Sequence, residues 1–248
     1  MLIAPDSWLA ALRSNSAALA RAARAAGPDA AVPTCPGWTV ADLLGHITNV
    51  HGWVTDIVEF EAKERPPRPD AVPPPAGDDV TAPFEANAER VFEVLSATGP
   101  GVEVWNWAAR APAPVAFWQR RMAHETAIHR VDAELAAGKA SPVEPAELAV
   151  DGIDEYLEML IPWVLERGRQ RGFEATFHFH ATDVSGEWQV SLGPGRIEVR
   201  REHGKAAVAV RGPASDLELL LYNRRPADGL EVFGEADLLD RWREGIRL

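Results

Sequence analysis

A single helical stripe within Phe117–Gly138, FWQRRMAHETAIHRVDAELAAG, limits the folds open to this chain more than any other feature. Trp118, Met122, Glu125, His129, Asp132 and Ala136 follow one another in alternating steps of four and three, so they share one face of a 3.6-residue helix. The apolar residues at its two ends mark that face as the buried one, yet its middle is Glu, His and Asp. An unpaired carboxylate in an apolar seam costs roughly several kcal/mol and takes up a proton instead. The stripe therefore needs a compensating group. A divalent metal is the simplest, because Glu125 and His129 lie one turn apart and leave the helix on the same side. An arginine inside a helical bundle, paired with the same side chains, is the alternative. The zinc-protease pattern HExxH is absent, since Ile128 stands where its second histidine would be.

Other helices surround this one. A helix capped by Asp6 is expected to run to about Ala26, stopped by Gly27-Pro28. Thr39 is the expected N-cap of a long helix reaching about Ala62, with Leu43, Ile47, Val50, Val54 and Ile57 facing inward. His46 neighbours that stripe, so a second helix brings a histidine to the bundle interior. Residues 65–78, RPPRPDAVPPPAGD, are expected to form a proline-rich surface loop. A third helix is expected from Asp79 to about Ser96, a loop over 98–114, and a further helix over roughly Pro145–Arg167.

The period then changes from that of a helix to that of a strand. Segments 175–183, 187–192, 196–202 and 206–212 alternate with period two, separated by Gly186, the Gly193–Gly195 turn and Gly204. They predict an antiparallel sheet, followed by a short helix in ASDLELLLYNR, a last strand in LEVFGE and a closing helix in ADLLDRWREG. The predicted fold class is α+β: a helical bundle over residues 1–168 and a small α+β domain over 172–248.

A net charge of −12 without clustered Lys and Arg argues against a nucleic-acid partner. No apolar run approaches the ~20 residues of a membrane span. MLIAPDSW has no basic region leading into an apolar core, so no secretory signal is expected. Cys35 is the single cysteine, which excludes an internal disulfide and fits a cytoplasmic location.

The segments TCPGWTVADLLGH, RRMAHETAIHRVDAE, FHFHATDVSGEWQV and RGPASDLELLLYNRRPADGLEVFG, in that order, resemble the mycothiol-dependent maleylpyruvate isomerase family of actinobacteria. The resemblance covers nearly the whole chain. It implies a DinB-like metal-binding four-helix bundle followed by a sterol-carrier-like domain. It also implies a metal held by His46, Glu125 and His129. Two histidines and one carboxylate with an open position are typical of catalytic zinc, so zinc is the expected ion. The resemblance further implies a functional arginine after the short C-terminal helix. That position falls on Arg224, with Arg225 adjacent and with Asn223 where the family usually has Gly.

The expected function is accordingly that of a metal-dependent transferase or isomerase. Its metal would activate a low-molecular-weight thiol such as mycothiol for attack on an electrophilic small molecule. A metal-dependent hydrolase using bound water and a non-catalytic binding protein on the same scaffold are the rivals. A monomer or homodimer is expected. Arg224 and Asp132 are the candidate catalytic residues, and Arg224 and Arg121 the candidate cofactor-binding ones. Asp132 either orients a ligand imidazole or pairs with Arg121 or Arg130. His51 and His124 are expected on the helix surface or the rim of the site, and Cys35 as a small buried residue. Trp53, Trp105, Trp107 and Trp118 are expected to be core or cavity wall. His178 and His180 share one face of a strand, but with no carboxylate or cysteine at matching spacing no second metal site is expected there.

Overall fold

The structure, a computed structural model, describes residues 3–67, 79–108, 113–139, 141–168 and 173–246. The chain forms two compact units, one of Ile3–Ser141 and one of Pro142–Leu248. The division falls earlier than the expected 168–172, of which 169–172 lie outside the described residues. The helix after Ser141 groups with the sheet because its apolar face is used there, as described below.

The first unit contains four helices: α1 (Pro5–Ala26), α2 (Val40–Glu59), α3 (Ala82–Ala97) and α4 (Ala116–Ala136). α1 packs along α4 and α2 along α3, with further contacts between α1 and α3 and between α2 and α4. Pro5, not Asp6, opens α1. Ala4 is the cap residue and Asp6 lies in the first turn, where its charge suits the positive end of the helix. Thr39 caps α2 as expected: its hydroxyl accepts from the Asp42 amide at 3.2 Å, and the Asp42 carboxylate accepts from the Thr39 amide at 2.8 Å. α3 starts three residues later than expected because Asp79 is used in the preceding turn, accepting from the Thr81 amide and hydroxyl. Most of the proline-rich stretch, 68–78, lies outside the described residues, as do 109–112 of the following loop. The rest of that loop carries an unexpected two-stranded ribbon, β1 (Glu103–Val104) paired antiparallel with β2 (Ala113–Pro114).

Two apolar clusters hold this unit. One gathers Trp53, Val54, Ile57, Val91, Trp118 and Met122; the other gathers Leu19, Leu43, Leu44, Ile47, Phe84 and Ala133. Along α4 the first cluster ends at Met122 and the second resumes at Ala133. Glu125, His129 and Asp132 occupy the interval between them.

The second unit begins with α5 (Ala146–Glu155), a π-helical turn (Tyr156–Leu160) and α6 (Ile161–Glu166). One continuous helix was expected. Pro162 explains the turn, because it has no N–H to donate back and its ring crowds the carbonyl four residues earlier. Strands β3 (Ala175–Ala181), β4 (Glu187–Gly193), β5 (Arg196–Arg200), β6 (Val208–Gly212) and β7 (Glu231–Gly234) form one sheet in the order β5-β4-β3-β6-β7. α7 (Ala214–Leu221) and α8 (Asp237–Gly245) complete the unit. Phe177, Phe179, Trp188, Val190, Val208 and Val210 are buried on one face of the sheet. Trp242 of α8 stacks edge-on against Phe177, α5 packs against α7, and Trp188 Nε1 donates to Asp154 of α5 at 2.7 Å.

The sheet is antiparallel except at one place. β6 pairs with β3 in parallel, with Phe177 opposite Val208 and Ala181 opposite Gly212. Segment 201–207 therefore carries the chain from the β5 edge across β4 to the far side of β3. It passes so close to Gln189 that a Cβ on Gly204 would meet that side chain at 2.4 Å, and Gln189 Nε2 donates to the Lys205 carbonyl at 3.1 Å.

Candidate metal centre

The two inward turns of α2 and α4 bring His46, Glu125 and His129 together, each offering a donor atom within 4.8 Å of the others. Glu125 Oε1 lies 3.4 Å from His46 Nε2 and 3.4 Å from His129 Nε2. The two imidazoles meet edge to face, with ring centroids 5.0 Å apart. Each of these oxygen–nitrogen separations matches an edge of a tetrahedron around an ion with bonds of about 2.1 Å. The His46 and Glu125 side chains keep 29% and 23% of their surface exposed, so small molecules have access to these donors; His129 keeps 10%.

The surrounding residues hold the donors in place. His129 Nδ1 donates to Asp132 Oδ2 at 2.8 Å, which turns Nε2 toward His46 and Glu125. Asp132 is fully buried and also accepts from Thr34 Oγ1 at 2.5 Å, while Cys35 Sγ lies 3.7 Å from its other oxygen. Asp132 thus lies against the His129 imidazole. Trp38, from the same turn, packs against the His46 ring with centroids 5.0 Å apart. Thr34 and Trp38 had no marked role in the sequence reading, although the TCPGW turn directly precedes the His46 helix.

Arg121 lies one turn before Glu125 and donates from Nη2 to Oε2 at 2.7 Å, leaving Oε1 to face the histidines. Its side chain is 5% exposed. Arg121 is therefore a buried countercharge to Glu125. Arg130 instead pairs with Glu134 at 2.8 Å and with Asn15 at 3.0 Å.

This arrangement sets the charges. Burial pushes the Glu125 carboxyl up, but Arg121 and hydrogen bonds from His129 and His46 outweigh it and hold the group well below the usual carboxylate range. Burial also works against the His129 imidazolium, yet the hydrogen bonds to Asp132 and Glu125 raise it to about 9. Without a metal the centre is thus a compact array of ion pairs.

His51 and His124 are both fully buried, contrary to the surface or rim position expected for them. His51 hydrogen-bonds Thr126 at 3.0 Å, and burial pushes its pKa down to about 4. The helix period misplaced them because α2 and α4 are both enclosed on most sides, so leaving the main stripe does not mean leaving the core. Cys35 is half-buried. Trp53, Trp105 and Trp118 form a core cluster in which Trp53 meets the other two rings at 5.3 and 6.0 Å.

In the second unit, Arg224 follows α7 and donates from Nη1 to the Tyr222 carbonyl at 2.8 Å. Arg225 is ion-paired with Asp216 and donates to the Asp228 carbonyl at 3.1 Å. Asn223 has φ +60°, a left-handed conformation that glycine adopts freely and asparagine tolerates best among the others. The expected absence of a carboxylate near His178 and His180 is overturned. Glu187 stands directly opposite His180 across the β3–β4 pair, and the three offer donor atoms within 4.8 Å of one another. The carboxylate arrives through strand pairing, which spacing along one strand does not reveal.

Residues 9–134 match the family model described as the mycothiol maleylpyruvate isomerase N-terminal domain, and residues 147–241 match that of the MDMPI C-terminal domain. Two crystal structures of the mycothiol-dependent maleylpyruvate isomerase share the fold. A single-site mutant has a TM-score of 0.68, and a second structure of that isomerase one of 0.66. Each is 16% identical to this chain, and each comparison covers 99% of this chain and 98% of the other. No curated protein sequence matches the chain.

Proposed function

The chain belongs to the mycothiol maleylpyruvate isomerase family, and from that premise we propose that it is a metal-dependent enzyme using a low-molecular-weight thiol of the mycothiol type to isomerise, or transfer the thiol to, an electrophilic small molecule. The convergence of His46 Nε2, Glu125 Oε1 and His129 Nε2, with the oxygen 3.4 Å from each nitrogen, carries this reading. The donor set fits a divalent ion of zinc type: two imidazoles and one carboxylate, with His129 oriented by Asp132. When bound there, the ion supplies the positive charge that keeps a thiol deprotonated at neutral pH.

The chain's own residues do the rest. Arg121 keeps Glu125 ionised and points its second oxygen at the histidines. Asp132 holds the proton on His129 Nδ1, so that Nε2 presents a lone pair once the ring is neutral. The partly exposed edges of His46 and Glu125 leave room for thiol and acceptor. Arg224 is the residue proposed to grip an anionic or hydroxyl-rich part of one of them, through the forked contact that guanidinium allows.

The test combines metal content with thiol dependence. Purified protein should carry an ion that is lost in His46→Ala and held more weakly in Glu125→Gln, because an amide is a poorer ligand than a carboxylate. Isomerisation of a maleylpyruvate-type substrate should require added thiol. Turnover of an ester or amide without thiol would instead support the hydrolase. Unchanged ion affinity in both variants would remove His46 and Glu125 from the centre.

A further inference from the structure

The face of the sheet that carries His178 and His180 holds a second convergence of imidazoles. β3 points His178 and His180 to this face, β4 adds Glu187, and the crossover 201–207 lays His203 over them. One oxygen, Glu187 Oε1, is the common centre: it lies 2.5 Å from His180 Nδ1, 3.0 Å from His203 Nδ1 and 3.6 Å from His178 Nε2. The His178 and His203 rings meet edge to face, with centroids 4.9 Å apart.

His178 is the telling member. Its side chain is 6% exposed, and Nε2 has no hydrogen-bond partner among the described residues although it faces this oxygen. A buried imidazole nitrogen without a partner carries a desolvation cost that a bound cation would offset. A single carboxylate with three acceptor-capable rings around it is short of a cation. The 3.6 Å between Glu187 Oε1 and His178 Nε2 is close to the edge of a tetrahedron around an ion with bonds of about 2.0–2.1 Å. The 2.5 Å contact of the same oxygen with His180 Nδ1 is shorter than such an edge, and a rotation of the partly exposed Glu187 side chain lengthens it.

We propose that His178, His180 and Glu187 form a second divalent-metal site, independent of the first, that takes an ion of zinc type. Two imidazoles and one carboxylate suit zinc better than calcium or magnesium, which require mostly oxygen donors. Its effect is mechanical: the ion ties β3 to β4 beneath the crossover, whose His203 Nδ1 lies 3.0 Å from Glu187 Oε1.

Equilibrium dialysis of the full chain against Zn²⁺, with metal quantified per chain, tests this. Wild-type protein and the His46→Ala variant should differ by one ion, with one ion left in His46→Ala. Adding His180→Ala or Glu187→Gln to His46→Ala should lower the affinity of the remaining ion at least about tenfold. Both residues are partly exposed, so these variants are expected to fold. In the His46→Ala background Co²⁺ should give the intense visible absorption of a tetrahedral site, and Zn²⁺ should raise the Tm; His180→Ala should abolish both. A His46→Ala protein that binds no ion, or one whose remaining ion is indifferent to His180→Ala, would overturn the site.

Discussion

His129 Nδ1 donates to Asp132 Oδ2 at 2.8 Å, three residues further along the same helix. The bond fixes both the tautomer and the direction of the ring, so Asp132 acts on any ion at the first centre without touching it. Asp132→Asn should preserve the fold while lowering Zn²⁺ affinity about 10–100-fold, as measured by competition with a chelating dye. Unchanged affinity would mean that packing alone holds the His129 ring.

The same bond makes the centre proton-sensitive. In the metal-free fold His129 titrates at about 9 against an ordinary value of 6.5. A raised folded pKa stabilises fully below the unfolded value, and the contribution is lost as pH rises through the folded one. Metal-free protein should therefore lose about 3 kcal/mol between pH 6.5 and 9 from this group, read from urea midpoints. Zinc must displace that proton, so its apparent affinity should rise about tenfold per pH unit over the same window. A flat profile would show that His129 is neutral throughout.

Arg121 balances Glu125 in the absence of an ion. Arg121→Met leaves that carboxylate buried with less compensation, a change that costs about 3–5 kcal/mol at comparable sites. The metal-free variant should melt earlier than wild type, and zinc should raise its Tm by more than it raises that of wild type. Equal shifts in both proteins would argue that Arg121 and the ion are not interchangeable countercharges.

Arg224→Ala should leave metal content and Tm nearly unchanged while lowering kcat/KM about 10²-fold, the scale of ~3 kcal/mol of lost charged hydrogen bonding. Arg224→Lys should recover only part, because an ammonium cannot reproduce the forked contact. An Arg224→Ala enzyme with full kcat/KM would shift attention to Arg225, whose guanidinium is held by Asp216.

Much of the first unit was legible because its signals are local. Thr39 with Asp42 announces a helix start, and the stripe through Glu125, His129 and Asp132 is a matter of helical period. Features that depend on a second segment were not. Asp132 meets Thr34 across 98 residues of sequence, and nothing in either neighbourhood advertises the other. His124 lies off the stripe yet has no exposed surface, since neighbouring helices decide what is interior. The strands were readable from period two, but the parallel partnership of β3 and β6 was not, because alternation reports which face a residue takes and not which strand lies beside it. Glu187 escaped notice for the same reason.

That parallel pair orders the assembly of the second unit in time. β3, β4 and β5 are joined by short turns and can zip together as each is formed, at the small entropic cost of closing small loops. β6 has no such neighbour in sequence. It must wait until β3 and β4 present an edge and until 201–207 has been drawn across Gln189. The row of unpaired amides and carbonyls on β3 stays open until then, which makes that edge the place where a nascent chain is most exposed to pairing with the wrong partner.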